Sequence, residues 1–394
     1  MLDIRAMADR GRSVEDGMGS ERKISRFDDL VFLPAQLANL PLLDSKKIEL
    51  ETVIGKDAKI PLKIDFPVMI SGMSFGAVSR EVKIALAKAS AAVGISANSG
   101  EGGMLDEERK FAKKYILQLA SGRFGQTADR FQLADAAEIK ISQSAKPAKG
   151  GVLRGAKVTE EIAKVRGLKI GEDAISPARH LDISSPEDLK KKVAELREIM
   201  GGKPVGIKIA GGKVEADLQI ILEAEPDYLV LDGFGGGTGA APKFIKDHVG
   251  IPHPAFLVRA KSFLEKKSPK RRISIVATGG FRTSADIAKA LALGADAVYL
   301  ATAALIALGC EQFRLCHLGS CPTAIATQNP IFRSAFNIEE RSLSLINFLK
   351  VLKIEIADYA RIVGKNSIHD LAADDLVALT SESARASNVS FINF

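Results

Sequence analysis

From residue 68 onward, short runs of β-branched and aliphatic residues alternate with longer stretches whose apolar positions recur every three to four residues. The first pattern is that of strands and the second that of helices packed on one face. Strands are expected at 68–71, 95–98, 115–119, 138–142, 205–210, 228–232, 273–277 and 297–301. Helices are expected at 79–93, 185–200, 213–224, 255–267 and 284–294. Polar, glycine-rich turns follow nearly every strand. Ser185-Pro186-Glu187-Asp188 carries a strong helix start, with an N-cap serine, proline at the first helical position and acids in the first turn; Gly201 ends that helix. Strand, turn and helix repeated in this order make βαβ units, and eight strands is the number that closes a (β/α)8 TIM barrel. An open doubly wound sheet would concentrate its glycine-rich phosphate turn after the first strand, whereas here such turns recur along the chain.

About sixty residues separate the fourth and fifth strands, from Gln143 to Lys203. A connection that long in a barrel is usually a lid or a channel wall. Three regions are expected: an N-terminal extension (1–66), the barrel with a cysteine loop at 310–321 (67–330), and a helical C-terminal extension (331–394) with amphipathic runs at 342–363 and 367–379. The 394 residues are 46% hydrophobic and 26% charged, enough for a large core. The first sixteen residues mix charges with apolar positions, and no uncharged apolar stretch reaches the roughly 20 residues of a membrane span, so a cytoplasmic protein without membrane contact is expected. The net charge of +7 permits an acidic partner. Its densest basic run, Lys266 to Arg272, lacks interleaved aromatics and reads as a solvated loop, not a nucleic-acid surface.

Three segments carry chemistry. Asp232-Gly233-Phe234-Gly235-Gly236-Gly237-Thr238-Gly239 follows the sixth strand, and Gly279-Gly280 follows the seventh. Backbone N–H groups approach a phosphate closely only where no Cβ intervenes, so paired glycine turns on neighbouring strands suggest a shared phosphate site. Lys140 and Lys208 sit inside adjacent strands, where a lysine faces either solvent or the barrel mouth. A cation at the mouth would stabilise an anionic reduced flavin. Finally, Cys310, Cys316 and Cys321 are the chain's three cysteines, spaced for one loop to gather them around a metal centre. Proline follows the last, as in ferredoxin-type runs, and the lack of an evident fourth ligand favours a [3Fe-4S] cluster over zinc or inert buried thiols.

The segments ISGMSFGAVS (70–79), NSGEGGM (98–104), EIKISQSAKPAKGG (138–151), DGFGGGTGAAP (232–242), ATGGFRTSADIAKALALGADAV (277–298) and ALIALGCEQFRLCHLGSCPTAIATQNP (304–330) resemble the FMN-binding domain of the glutamate synthase family, in its shorter, stand-alone form. The resemblance implies that Ser71, Gly72, Met73 and Ser74 pack on the flavin ring, with Asn98, Lys140 and Lys208 at its polar edge. It implies that Gly236, Gly237, Thr238, Gly279, Gly280 and Arg282 hold the FMN phosphate, and that Cys310, Cys316 and Cys321 bind a [3Fe-4S] cluster. Lys140, Gln143, Lys146 and Arg166 would act on 2-oxoglutarate or its imine, a suitable task for cationic and amide side chains. Ser144 stands where the family motif carries glycine.

The activity so implied is reduction of 2-iminoglutarate, formed from 2-oxoglutarate and ammonia, to L-glutamate. The chain begins Met1-Leu2 without a cysteine nucleophile and shows neither a GxGxxG dinucleotide turn nor a second cysteine cluster. Electrons are therefore expected from a separate donor protein and ammonia from solution or a separate amidotransferase subunit, within an oligomer or complex. Two other readings stay open: an N-methylglutamate synthase subunit, and a non-catalytic FMN and iron-sulfur electron-transfer subunit.

Overall fold

In a computed structural model, which describes residues 2–22, 27–268 and 273–392, the expected eight strands pair in parallel around a barrel. They are β1 (Val68–Ile70), β2 (Ala97–Asn98), β3 (Tyr115–Leu119), β4 (Ala136–Lys140), β5 (Val205–Ala210), β6 (Tyr228–Asp232), β7 (Ser274–Thr278) and β8 (Ala297–Leu300). Their order is β1-β8-β7-β6-β5-β4-β3-β2, and Ile70 N donates to Ser96 O at 3.0 Å where the first strand meets the approach to the second. β4 lies two residues earlier than its sequence pattern suggested, which places Lys140 at the strand's end.

Side chains alternate across each strand, so every second residue enters the barrel. The inward set changes character along the barrel axis. At the N-terminal end Met69, Ile116, Ala136 and Tyr228 pack with Ile54, Leu62 and Ile64 of an antiparallel hairpin (Thr52–Ile54 with Leu62–Ile64) that plugs this end. One step up, the buried Glu138 carboxylate accepts from Gln118 Nε2 (2.6 Å) and from the Tyr299 hydroxyl (2.8 Å). At the C-terminal end the inward positions become Ser71, Lys140, Lys208, Asp232 and Thr278. An apolar base thus carries a charged mouth, the end at which barrels of this kind build their sites.

The helices α1 (Arg80–Ala92), α2 (Glu160–Arg166), α3 (Pro186–Ile199), α4 (Val214–Ala224), α5 (Ala255–Lys267), α6 (Ser284–Ala292) and α7 (Ile338–Ile362) follow the expected apolar periodicity, α2 excepted, which the sequence pattern did not single out. Ser185 and Asp188 form the anticipated capping box at α3, and Ser79 Oγ caps α1 by accepting from Val82 N at 3.4 Å. α7 packs across α1 and α6.

A second C-terminal helix, expected over 367–379, is absent. Two 3-10 turns, Ile368–Asp370 and Ala373–Asp375, are followed there by a strand, Leu376–Ala378, paired antiparallel with Leu30–Phe32. The N-terminal segment offers this stretch a ladder partner, and the pairing outcompetes local helix formation. Of the basic run, Pro269 to Arg272 lie outside the described residues. Among the described residues no helix is long and apolar enough to cross a membrane.

Candidate active site

The charged mouth opens into a cavity of about 190 Å³. Most of the residues singled out from the sequence meet there.

One wall is backbone. The loop Gly236-Gly237-Thr238 and the turn Gly279-Gly280 both line the cavity. Gly279 has φ +120°, and a Cβ on it would come within 2.2 Å of Gly233 O. A Cβ on Gly236 would sit 2.2 Å from Ser144 Oγ, and one on Gly237 2.9 Å from Thr302 Oγ1. Side chains are excluded where the two turns interlock, which leaves a cradle of peptide groups. Opposite, Gly72 lies so close to Gln118 Nε2 and Asn98 Oδ1 that a Cβ would approach them to 2.8 and 2.9 Å. The Ser71–Ser74 turn is pinned by the buried Lys83, whose Nζ donates to Met73 O (2.7 Å) and Asn98 O (3.0 Å) while pairing with Glu108 at 2.8 Å.

The other wall is charge. Lys140 Nζ donates to Glu101 Oε2 at 2.8 Å. Burial raises the Glu101 carboxyl, but Lys140, Lys146 and Arg166 outweigh it and hold the group down at about 2. Burial lowers Lys146, with Glu101 opposing, and lowers Arg166 to about 10. Arg166 Nη2 donates to Phe75 O at 2.7 Å, while its Nε is buried without a hydrogen-bond partner among the described residues. Three cations meet at Glu101, with Glu15 a further acidic neighbour of Lys146, so the group carries an excess of positive charge that suits an anion. Glu101 was not singled out from the sequence. Its signal was an acid inside the glycine-rich turn after β2, at the end of the barrel where chemistry sits.

Lys208 lies beside Lys140 across the β4–β5 ladder and pairs with Asp232 Oδ2 at 3.2 Å. Gln143 also lines the cavity. Two of the residues singled out do not. Asn98 is buried behind the Gly72 turn, its Oδ1 accepting from Gly100 N at 2.9 Å. Arg282 is half exposed and its guanidinium donates to Asp28 Oδ1 at 2.9 Å, beside a smaller pocket on the far side of the Gly279 turn.

Cys310, Cys316 and Cys321 border the same cavity. Burial pushes the Cys310 thiol up, and burial with its two neighbouring cysteines pushes Cys316 up to about 11. Three thiols on one loop are a donor set that a cationic centre would bind as thiolates. Among the described residues no three His, Cys, Asp or Glu side chains converge as ligands of one metal ion. Lys157 Nζ braces the loop by donating to Cys316 O and His317 O, both at 3.0 Å. The N-terminal segment closes the gap between loop and glycines. Met18 lines the cavity and its N donates to Thr238 O at 2.7 Å; Gly17 is so near that a Cβ would lie 3.1 Å from Cys316 Cβ. This contact had no periodic signature in the sequence.

A family model described as the conserved region in glutamate synthase matches residues 7–366. The chain belongs to the glutamate synthase family. It is 41% identical to an archaeal-type glutamate synthase [NADPH] of Thermotoga neapolitana, over 94% of this chain and 78% of that one. It is 38% identical to a glutamate synthase large subunit-like protein of Rhizobium meliloti, over 99% and 92%. Like the family, it is a glutamate-synthase-type oxidoreductase. Among solved structures, a flavocytochrome b2 variant aligns with TM-score 0.58 and 16% identity over 96% of this chain and 84% of that one. A mandelate oxidase variant with an FMN adduct aligns with TM-score 0.52 and 14% identity over 87% and 86%. At such identities these neighbours share the barrel fold.

Proposed function

We propose that the chain is the FMN-binding, substrate-reducing unit of a glutamate synthase, converting 2-iminoglutarate to L-glutamate with electrons that enter through an iron-sulfur cluster. The observation that carries this reading is the Glu101–Lys140–Lys146–Arg166 group: its cations outnumber its acids, which suits a substrate with two carboxylates, and it shares one cavity with a glycine cradle and three cysteines. Family membership and the FMN of a fold neighbour support the cofactor.

The Gly236–Thr238 loop and the Gly279–Gly280 turn would hold the FMN phosphate, and Ser71 to Ser74 and Lys208 would meet the ring. FMN bound there would supply the hydride that reduces the imine carbon. Cys310, Cys316 and Cys321 would hold the [3Fe-4S] cluster, a source of single electrons. Arg166 and Lys146 bind the substrate carboxylates, and the unpartnered Arg166 Nε offers one more donor. Gln143 adds an amide able to donate or accept. Glu101 keeps Lys140 Nζ oriented at the substrate's edge. Met18 and the cysteine loop exclude water that would hydrolyse an imine.

The test is a single turnover of the protein purified anaerobically with its partners. Flavin is reduced, then mixed with 2-oxoglutarate and ammonium, and one glutamate per FMN is expected. N-methylglutamate formed only when methylamine replaces ammonium would replace this reading with the methylated product. FMN that reduces but is never reoxidised by either mixture would make the chain an electron relay.

A further inference from the structure

Lys140 and Lys208 are neighbours across one ladder, yet they are neutralised differently. Lys140 shares Glu101 with Lys146 and Arg166, so its carboxylate is over-subscribed. Lys208 has a carboxylate at 3.2 Å, Asp232, which is itself fixed from the other side: Ser144 Oγ donates to Asp232 Oδ1 at 2.6 Å. Both charged groups are buried and both border the cavity, and Ser144 is buried behind them. Asp232 Oδ1 also lies against the glycine loop, 2.9 Å from where a Gly236 Cβ would stand. Its carboxylate is thus clamped in one orientation. Burial opposes the Lys208 charge, and Asp232, with Glu138 behind it, outweighs burial and keeps the ammonium above its ordinary range.

Stability alone gives little reason for this arrangement, because apolar residues of similar volume commonly replace a buried ion pair at no loss. Ser144 reaches the pair from the long β4–β5 connection that also bears Gln143 and Lys146. We propose that Asp232 and Ser144 are positioning residues that hold the Lys208 ammonium in the cavity and offset part of its charge, so setting how readily bound FMN accepts electrons. This rests on the reading of the cavity as an FMN site. A cation favours the anionic reduced ring, and a fixed counter-charge beside that cation weakens the preference.

The experiment is a potentiometric titration of the FMN in the purified protein, without 2-oxoglutarate, for wild type, Asp232→Asn and Ser144→Ala. Asp232→Asn removes the carboxylate paired with Lys208 and leaves only the more distant Glu138 and Glu101 to offset it, so the ratio of reduced to oxidised flavin at a given potential should rise at least tenfold, about 30 mV for a two-electron couple. Ser144→Ala leaves the Asp232 charge more concentrated toward Lys208, so its midpoint should move the opposite way and by less. Should Asp232→Asn fail to fold or retain FMN, the sign of the Ser144→Ala shift decides. A merely structural pair would change FMN retention or stability and leave the midpoint of the retained flavin where it was. Unchanged midpoints with normal FMN content, or a rise in Ser144→Ala, overturn this inference alone. Wild-type protein that takes up no FMN overturns the reading of the cavity, and this inference with it.

Discussion

The two walls of the cavity recognise by opposite means. The glycine wall, built from the turns after β6 and β7, works by what it lacks: at Gly279 a single added carbon would be driven to 2.2 Å from a neighbouring carbonyl oxygen. The cationic wall works by what it carries, with Arg166, Lys146 and Lys140 gathered on the half-buried Glu101 carboxylate. Shape made by backbone tolerates almost no change, because main chain cannot step aside. Charge is graded, since each cation contributes a share and the rest persists when one is removed.

The sharpest break in that comparison is expected at Gly279. Valine there must clash with Gly233 O and adopt φ +120°, a region β-branched residues do not occupy, so FMN content after purification should fall to background while 2-oxoglutarate has no direct contact with the change. Retention of stoichiometric FMN in Gly279→Val would show that the glycine wall is not the phosphate cradle.

Arg166→Ala should give a large but partial effect. Loss of one carboxylate partner should weaken 2-oxoglutarate binding by roughly 2 to 4 kcal/mol, measured by calorimetry, with FMN content unchanged. Equal loss of FMN would erase the distinction between the walls.

Acid should dissolve the cationic wall first. The Glu101 carboxyl is held at about 2 against an ordinary 4.5, so its ionised form stabilises the folded state fully above pH 4.5. That contribution is lost as the pH falls from 4.5 toward 2. Urea denaturation of wild type and Glu101→Gln should therefore show a stability gap that is constant above this window and closes within it. A gap independent of pH would mean that Glu101 is not charged in the cluster.

The smallest effect is expected away from both walls. Ser185→Ala removes one half of the capping box on α3 and should cost about 1 kcal/mol of stability in chemical denaturation, with neither ligand affected.

These elements also differ in how far they can be read without coordinates. All eight strands, and the boundaries of α1, α3 and α5, are local matters of periodicity and capping, and they appear in the linear pattern within a few residues. The glycine turns were equally plain, because five glycines in eight residues mark a backbone that must approach something. The cysteines announced themselves by spacing. Glu101 did not, since a single acid in a turn has no periodicity, and its role arises only when β2, β4 and the long connection bring three cations to it. Arg282, adjacent to the Gly280 turn in sequence, faces Asp28 instead of the cavity, a choice made by a partner 254 residues away.

The sequence by itself determined the barrel, its polar end and the residue types gathered there, because hydrophobic period, capping and turn chemistry act over a few neighbouring residues. Tertiary structure alone decided which cations share which carboxylate, how Ser144 reaches Asp232, that Met18 lines the cavity, and that residues 376–378 pair with the N-terminal segment instead of forming a helix. Those outcomes depend on contacts between segments far apart in the chain, where burial makes each unpaired charge or peptide group costly enough to select its partner.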